Sequence, residues 1–181
     1  MPSVFLSPST QQYNLYAGGG NEEYYTNLIT DAMIPYLQAS GISYGRNDPN
    51  GTVTNSIAAS NAGNYDFHLA IHSNAAPENL SGMLRGADAY YYRDSTVGRR
   101  DAEIIANNLK LIYPIPSRVT VVPTTTLAEL RRTKAPAVLI EIAYHDNIDD
   151  ANWIRDNIQT IGRNLALSVA DILGVAFVEP S

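Results

Sequence analysis

The chain has no cysteine among its 181 residues, which excludes disulfides and thiolate metal sites and leaves His, Asp, Glu and weaker oxygen donors for any metal. Histidine is scarce: His68, His72 and His145 are the whole supply, so each is a candidate for acid–base or ligand work. Basic residues are few, twelve against eighteen acidic, and the net charge of -6 argues against a nucleic-acid partner, whose phosphates need clustered Lys and Arg. No apolar run approaches the roughly 20 residues that cross a bilayer, so no membrane partner is expected. Met1-Pro-Ser-Val-Phe-Leu-Ser7 lacks a basic region followed by an apolar stretch, and no signal peptide is visible in it. What is present, 45% hydrophobic and 17% charged residues, suits one folded domain with one core.

Along the chain, β-favouring runs alternate with helical patterns. Strands are expected at Ser3–Ser7, stopped by Pro8, then at Ile42–Tyr44, Asp66–Ala75, Ala87–Tyr92, Val119–Val122 and Ala137–Ile140. A first helix should start at an Asn21 N-cap, place Glu22 and Glu23 in its first turn, and repeat Ile29, Met33 and Leu37 inward. Pro35 should kink it and Gly41 should end it. Residues 52–62 read as a short helix with Val53, Ile57 and Ala58 inward, and Arg99–Tyr113 as another. A final helix carries Ile158, Ile161, Leu165, Val169 and Leu173 up to a Gly174 cap. This alternation predicts an α/β fold: a three-layer sandwich with a mostly parallel twisted sheet of about six strands and helices on both faces. The domain is expected over residues 1–175, with 176–181 as a C-terminal tail or truncated linker.

The chemistry sits at strand ends. The run from Asp66 finishes on His72-Ser73-Asn74, and in open α/β sheets ligands gather beyond the carboxyl ends of strands. Glu141 directly follows Ala137-Val-Leu-Ile140; burial raises a carboxyl pKa, a cation lowers it, and a general base needs such tuning. A surface salt bridge from Glu141 to Arg131 or Arg132 is the competing use. Glu23 falls at another element end. His68 lies on the same strand face as His72 but about 13 Å away at strand rise, too far to share a metal, and is expected in the core. Twelve tyrosines against three Phe and one Trp suit amphipathic surfaces that stack and hydrogen-bond together.

Taken together, these segments resemble the zinc-dependent N-acetylmuramoyl-L-alanine amidases of the amidase-3 type. The resemblance rests on Ser7-Pro-Ser-Thr10 after the first strand, on Glu23 four residues before Asn27, and on His72-Ser-Asn-Ala75. Arg85-Gly86 before a Tyr-rich strand, Leu130-Arg-Arg-Thr133, Pro136-Ala-Val-Leu-Ile-Glu141 and Asn147 complete it. It implies a peptidoglycan hydrolase that cuts the bond between N-acetylmuramic acid and L-alanine, acting on the bacterial cell wall as a monomer. It also implies a mononuclear Zn²⁺ held by ligands that include Glu23 and His72, with Glu141 as the catalytic group working on the bound water. Asn74, Arg131 and Tyr13 are the substrate-side candidates. Where the family has its first histidine ligand this chain has Thr10, followed by Gln11, Gln12 and Tyr13. His145 or water is then expected to complete the zinc site. That missing histidine keeps open a degenerate wall-binding domain of the same fold; a zinc carboxypeptidase on wall peptides, which shares a similar layered fold but needs a cationic carboxylate pocket, is the third reading.

Overall fold

In a computed structural model that describes residues 1–181, the apolar runs become six strands: β1 (Ser3–Pro8), β2 (Ser43–Arg46), β3 (Phe67–Asn74), β4 (Ala87–Tyr92), β5 (Val119–Thr124) and β6 (Ala137–Tyr144). The helices are α1 (Glu22–Ala39), α2 (Val53–Ala62), α3 (Thr96–Leu109), α4 (Ala128–Arg132), α5 (Ile148–Asp156) and α6 (Ile158–Leu173). The sheet order is β2-β1-β3-β6-β4-β5. All neighbours run parallel except β4 and β6, which are antiparallel. The α/β class and strand number match the expectation.

Strand periodicity divides the residues between two faces. Phe67, Leu69 and Ile71 of β3 and Val138 and Ile140 of β6 enter the main core with Ile29, Met33 and Leu37 of α1, Ile105 of α3 and Leu165 of α6. Each such side chain taken from water contributes about 1.5–3 kcal/mol, so this face carries most of the stability. Gly162 makes it possible: a Cβ there would lie 2.5 Å from the Ala32 Cβ, so only glycine lets α6 approach α1 this closely. The opposite face has a smaller cluster of Ala70, Leu130, Ala137 and Leu139 under α4. In β4, Ala87, Ala89 and Tyr91 are buried while Asp88, Tyr90 and Tyr92 are only partly covered, so the second face stays open toward β5.

Local signals explain most element ends. The Asn21 side chain accepts from Tyr24 N at 2.8 Å and starts α1, which continues through Pro35 to Ala39. Gly174 takes φ 67 beyond α6, a left-handed cap. α2 differs from expectation in its inward face. Ile57 is buried, but Val53 and Ala58 are exposed and Ser56 and Ser60 point in instead. The reason is polar company: Ser56 Oγ accepts from Asn47 Nδ2 at 2.9 Å, and Ser60 Oγ lies 2.9 Å from His68 Nδ1. β6 also runs past Glu141 to Tyr144 instead of stopping at Ile140, with a register shift against β3; such irregularities re-aim side chains near sites.

Residues 75–86 connect β3 to β4 along the carboxyl edge and pass the end of β6, which lies between them in the sheet. Asp146 and Asn147 pin this loop: Asp146 accepts from Ala76 N and Gly82 N, and Asn147 donates to Gly82 O at 2.7 Å. The wholly buried Asp150 accepts from Arg85 Nε, Gly86 N, Tyr113 Oη and Tyr144 N, enough bonds to offset the cost of its burial. The final residues fold back, with Phe177 stacked 5.7 Å from Tyr36 and Val178 N donating to Ser40 Oγ.

Candidate active site

Register builds the site. His72 of β3 pairs with Glu141 of β6, which pairs with Asp88 of β4, which pairs with Thr120 of β5. Residues paired across adjacent strands share a face, so a polar row crosses the open face near the carboxyl edge. Two further carboxylates enter from helices. Glu22, in the first turn of α1 and 1% exposed, places Oε1 2.8 Å from His72 Nδ1. Asn14 Nδ2 donates to its other oxygen at 2.5 Å. Glu129 of α4 places Oε2 2.7 Å from His68 Nε2 and Oε1 3.7 Å from His72 Nε2. The longer separation is a charge contact rather than a hydrogen bond. His72 Nε2 and Glu141 Oε2 are thus left buried without partners. Both atoms belong to residues lining a cavity of about 200 Å³ with Gln11, Val53 and Glu129.

The charges follow from this packing. Burial pushes the Glu141 carboxyl up to about 7; the His72 charge opposes this, and Glu22 and Asp88 add to it. Burial alone would lower His72, but Glu129, Glu22 and Glu141 outweigh it and push the imidazole up to about 10. For Glu129 burial is again the largest influence, yet His68 and His72 overcome it and hold the carboxyl down at about 2. Glu22 is lowered against its own burial by His72 and Asn14. At neutral pH the centre is therefore an imidazolium between two carboxylates, beside a carboxyl group poised to exchange a proton.

The structure brings together His72 and Glu141 among the residues expected at the site. Glu23 lies outside it: its Oε1 accepts from Asn27 Nδ2 at 3.1 Å, and Glu22 stands where Glu23 was expected. Adjacent helical residues point about 100° apart, and the buried stripe of α1 runs through Thr26, Ile29, Thr30, Met33 and Leu37. Glu22, four residues before Thr26, falls on that stripe and Glu23 does not, a signal present in the sequence. His145 also lies elsewhere. It is buried, stacked 5.4 Å from Tyr16, with Nδ1 3.0 Å from Ser73 O, and Ser73 points to the face opposite His72. Tyr13 is 78% exposed. Asn74 contacts Asp88 at 3.5 Å. Arg131 is exposed on α4 and Glu141 makes no salt bridge with it or with Arg132. His68 is wholly buried, as expected. Glu129 was not foreseen; the clue was a histidine on the same inward face as His72, which in a core requires a charged or polar partner.

The family model for N-acetylmuramoyl-L-alanine amidase matches residues 10–171. The chain belongs to this family. It is 27% identical over 133 residues to an uncharacterised protein of Clostridium perfringens, covering 71% of this chain and 39% of that protein. It is also 27% identical over 160 residues to the N-acetylmuramoyl-L-alanine amidase LytC of Bacillus subtilis, covering 84% of this chain and 31% of LytC. The chain thus spans about a third of the length of these curated relatives. Among solved structures, the amidase AmiC2 of Nostoc punctiforme superposes with a TM-score of 0.83 at 16% identity, covering 96% of this chain and 97% of that one. The shared α/β sheet is what this likeness shows.

The family is generally zinc-dependent, and a catalytic zinc usually has three protein ligands. Here the candidate donors Glu22 and His72 stand together, and His72 Nδ1 is engaged by the Glu22 carboxylate. Thr10, Tyr13 and His145 supply no third, and although Glu129 and Glu141 stand close to His72, no three His, Asp or Glu side chains are placed to hold one metal ion. The residues present do not fit a three-ligand zinc site.

Proposed function

We propose that this domain hydrolyses the amide bond between N-acetylmuramic acid and L-alanine in peptidoglycan, with Glu141 accepting the proton of the attacking water and returning it to the leaving nitrogen. The observation that carries this is the unpartnered, buried Oε2 of Glu141 at the cavity, on a carboxyl raised to about 7. Such a group is part ionised at neutral pH and serves in both directions of proton transfer. His72 Nε2, also unpartnered, is a charged donor suited to the carbonyl oxygen on which negative charge develops. Glu22 and Glu129 hold that imidazolium in place. The reading places the domain's action on the bacterial cell wall; no helix is long and apolar enough to cross a membrane.

The test is release of new L-alanine amino termini from purified peptidoglycan. Glu141→Gln keeps size and hydrogen-bonding reach and should reduce the rate by about 10²- to 10⁴-fold; wild-type turnover in that variant refutes the assignment. A second reading, a wall-binding domain without hydrolysis, is favoured by the incomplete zinc donor set. It predicts that wild-type protein is retained on peptidoglycan and releases no amino termini.

A further inference from the structure

His72 and Glu141 lie between two hollows of different chemistry on the same edge of the sheet. One, of about 350 Å³, is lined by Thr10, Gln11, Tyr13, Gly51, Thr52 and Val53. It has no charged side chain, and it follows the ends of β1 and β2. The other, of about 400 Å³, is lined by Asp88, Arg118, Thr120 and Tyr144 among others, at the starts of β4 and β5. The reversal of β4 brings its start to the edge where β1, β2, β3 and β6 end. The cavity at His72 and Glu141 lies on the strands between them in the sheet order. It shares Gln11 and Val53 with the uncharged hollow, and on the other side Glu141 is the register partner of Asp88.

In the charged hollow, Arg85 is tied to Asp149 and Asp150, whereas Arg118 is exposed and forms no ion pair. Asp88 accepts from Thr120 Oγ1 and, at 3.5 Å, from Asn74 Nδ2. A carboxylate has about four lone-pair sites, so capacity remains. One free cation and one free acceptor on the same wall match a ligand with both carboxylates and N–H groups. The uncharged hollow offers hydroxyls, an amide and the exposed Tyr13 ring, groups that hydrogen-bond and stack on neutral sugars.

We propose that the site binds its substrate with fixed polarity: the glycan over Thr10–Tyr13 and Gly51–Val53, and the stem peptide in the hollow of Asp88 and Arg118. Arg118 takes a peptide carboxylate and Asp88 takes peptide N–H groups. The inference rests on the muramoyl-peptide reading above and adds the direction of the chain across the scissile bond. It also assigns Arg118 and Asp88 roles that the family resemblance did not suggest.

Amide chemical-shift mapping on the whole domain carrying Glu141→Gln tests it, using a free stem peptide that begins with L-alanine and, separately, an N-acetylglucosamine oligomer. The peptide should perturb residues around Asp88, Arg118, Thr120 and Tyr144, and the sugar those around Thr10–Tyr13 and Gly51–Val53. Arg118→Glu should weaken peptide binding by about tenfold or more, the loss of a charge-assisted bond, without changing the sugar map. Tyr13→Ala should do the reverse. Exchanged maps, both ligands in one hollow, or no binding of either at saturating concentration would each overturn the proposal. Because no turnover is measured, a domain without hydrolysis that yields the expected maps sinks the activity and not the polarity; an active domain with exchanged maps sinks only the polarity.

Discussion

Replacing Glu129 with Gln keeps the side chain's size and removes the charge that faces His68 and His72. The carboxyl is 5% exposed and is held down from 4.5 to about 2. At about 1.4 kcal/mol per pKa unit, that drop corresponds to roughly 3 kcal/mol of native stability at neutral pH. For a chain of this size the loss should lower Tm by about 6–12 °C. The sign follows from a depressed carboxyl pKa. Its contribution is complete above 4.5 and is lost as pH falls toward 2. At the other end, His72 is raised from 6.5 to about 10, so what its protonation adds is complete below 6.5 and fades through 10. Urea unfolding of wild type and Glu129→Gln with a chelator present, from about pH 2.5 to pH 10, should therefore show a gap that is widest between about pH 5 and 6.5 and closes on both sides. A gap below about 1 kcal/mol at pH 6, or one that does not change with pH, refutes the placement of Glu129 between the histidines.

Glu22→Gln should reduce hydrolysis by about 10- to 100-fold, as removal of a group that orients a site histidine does, while Glu23→Gln stays within about twofold; equal losses would return the site to Glu23. Because the Glu141 pKa is raised to about 7 and the ionised form is the base, the rate should climb with pH to a plateau above that value and fall about tenfold per unit well below it. A flat rate between about pH 5.5 and 7.5 would mean that another group takes the proton.

Most strands were legible because they are short apolar or β-favouring runs beside Pro, Gly or Asn, and Ala87–Tyr92 was read to the residue; β2, Ser-Tyr-Gly-Arg, carries the weakest such signal. The order of strands was not. Nothing in the sequence of β4 says that it runs opposite to β6; that is decided by where residues 75–86 carry the chain. In the site, His72 and Glu141 were legible as polar residues closing apolar runs. Glu22 was misread as Glu23 because the family spacing to Asn27 outweighed the buried stripe that α1 sets from its Asn21 cap. His145 was expected near the metal because histidines are few, but alternation sends Ser73 and its partner to the face away from His72. Glu129 stayed invisible because its role needs α4 folded over β3, a contact between segments distant in sequence.

The reversed β4 leaves the loop 75–86 at the edge where β3 ends, and this decides where the domain can change without harm. The bonds of Asp146 and Asn147 hold it at Ala76 and Gly82, and Asp150 holds it again at Arg85 and Gly86. Between these anchors Met83 is 70% exposed and, with Leu84, borders the hollow assigned to the peptide. Doubling the length of a flexible loop costs only about 0.6 kcal/mol in closure entropy. Insertions at Met83–Leu84 can therefore deepen or narrow that wall at little thermodynamic expense while the row on the strands stays fixed. Variation in the peptide accepted by such domains should accumulate there, in a segment free to drift, and not in the sheet that carries His72 and Glu141.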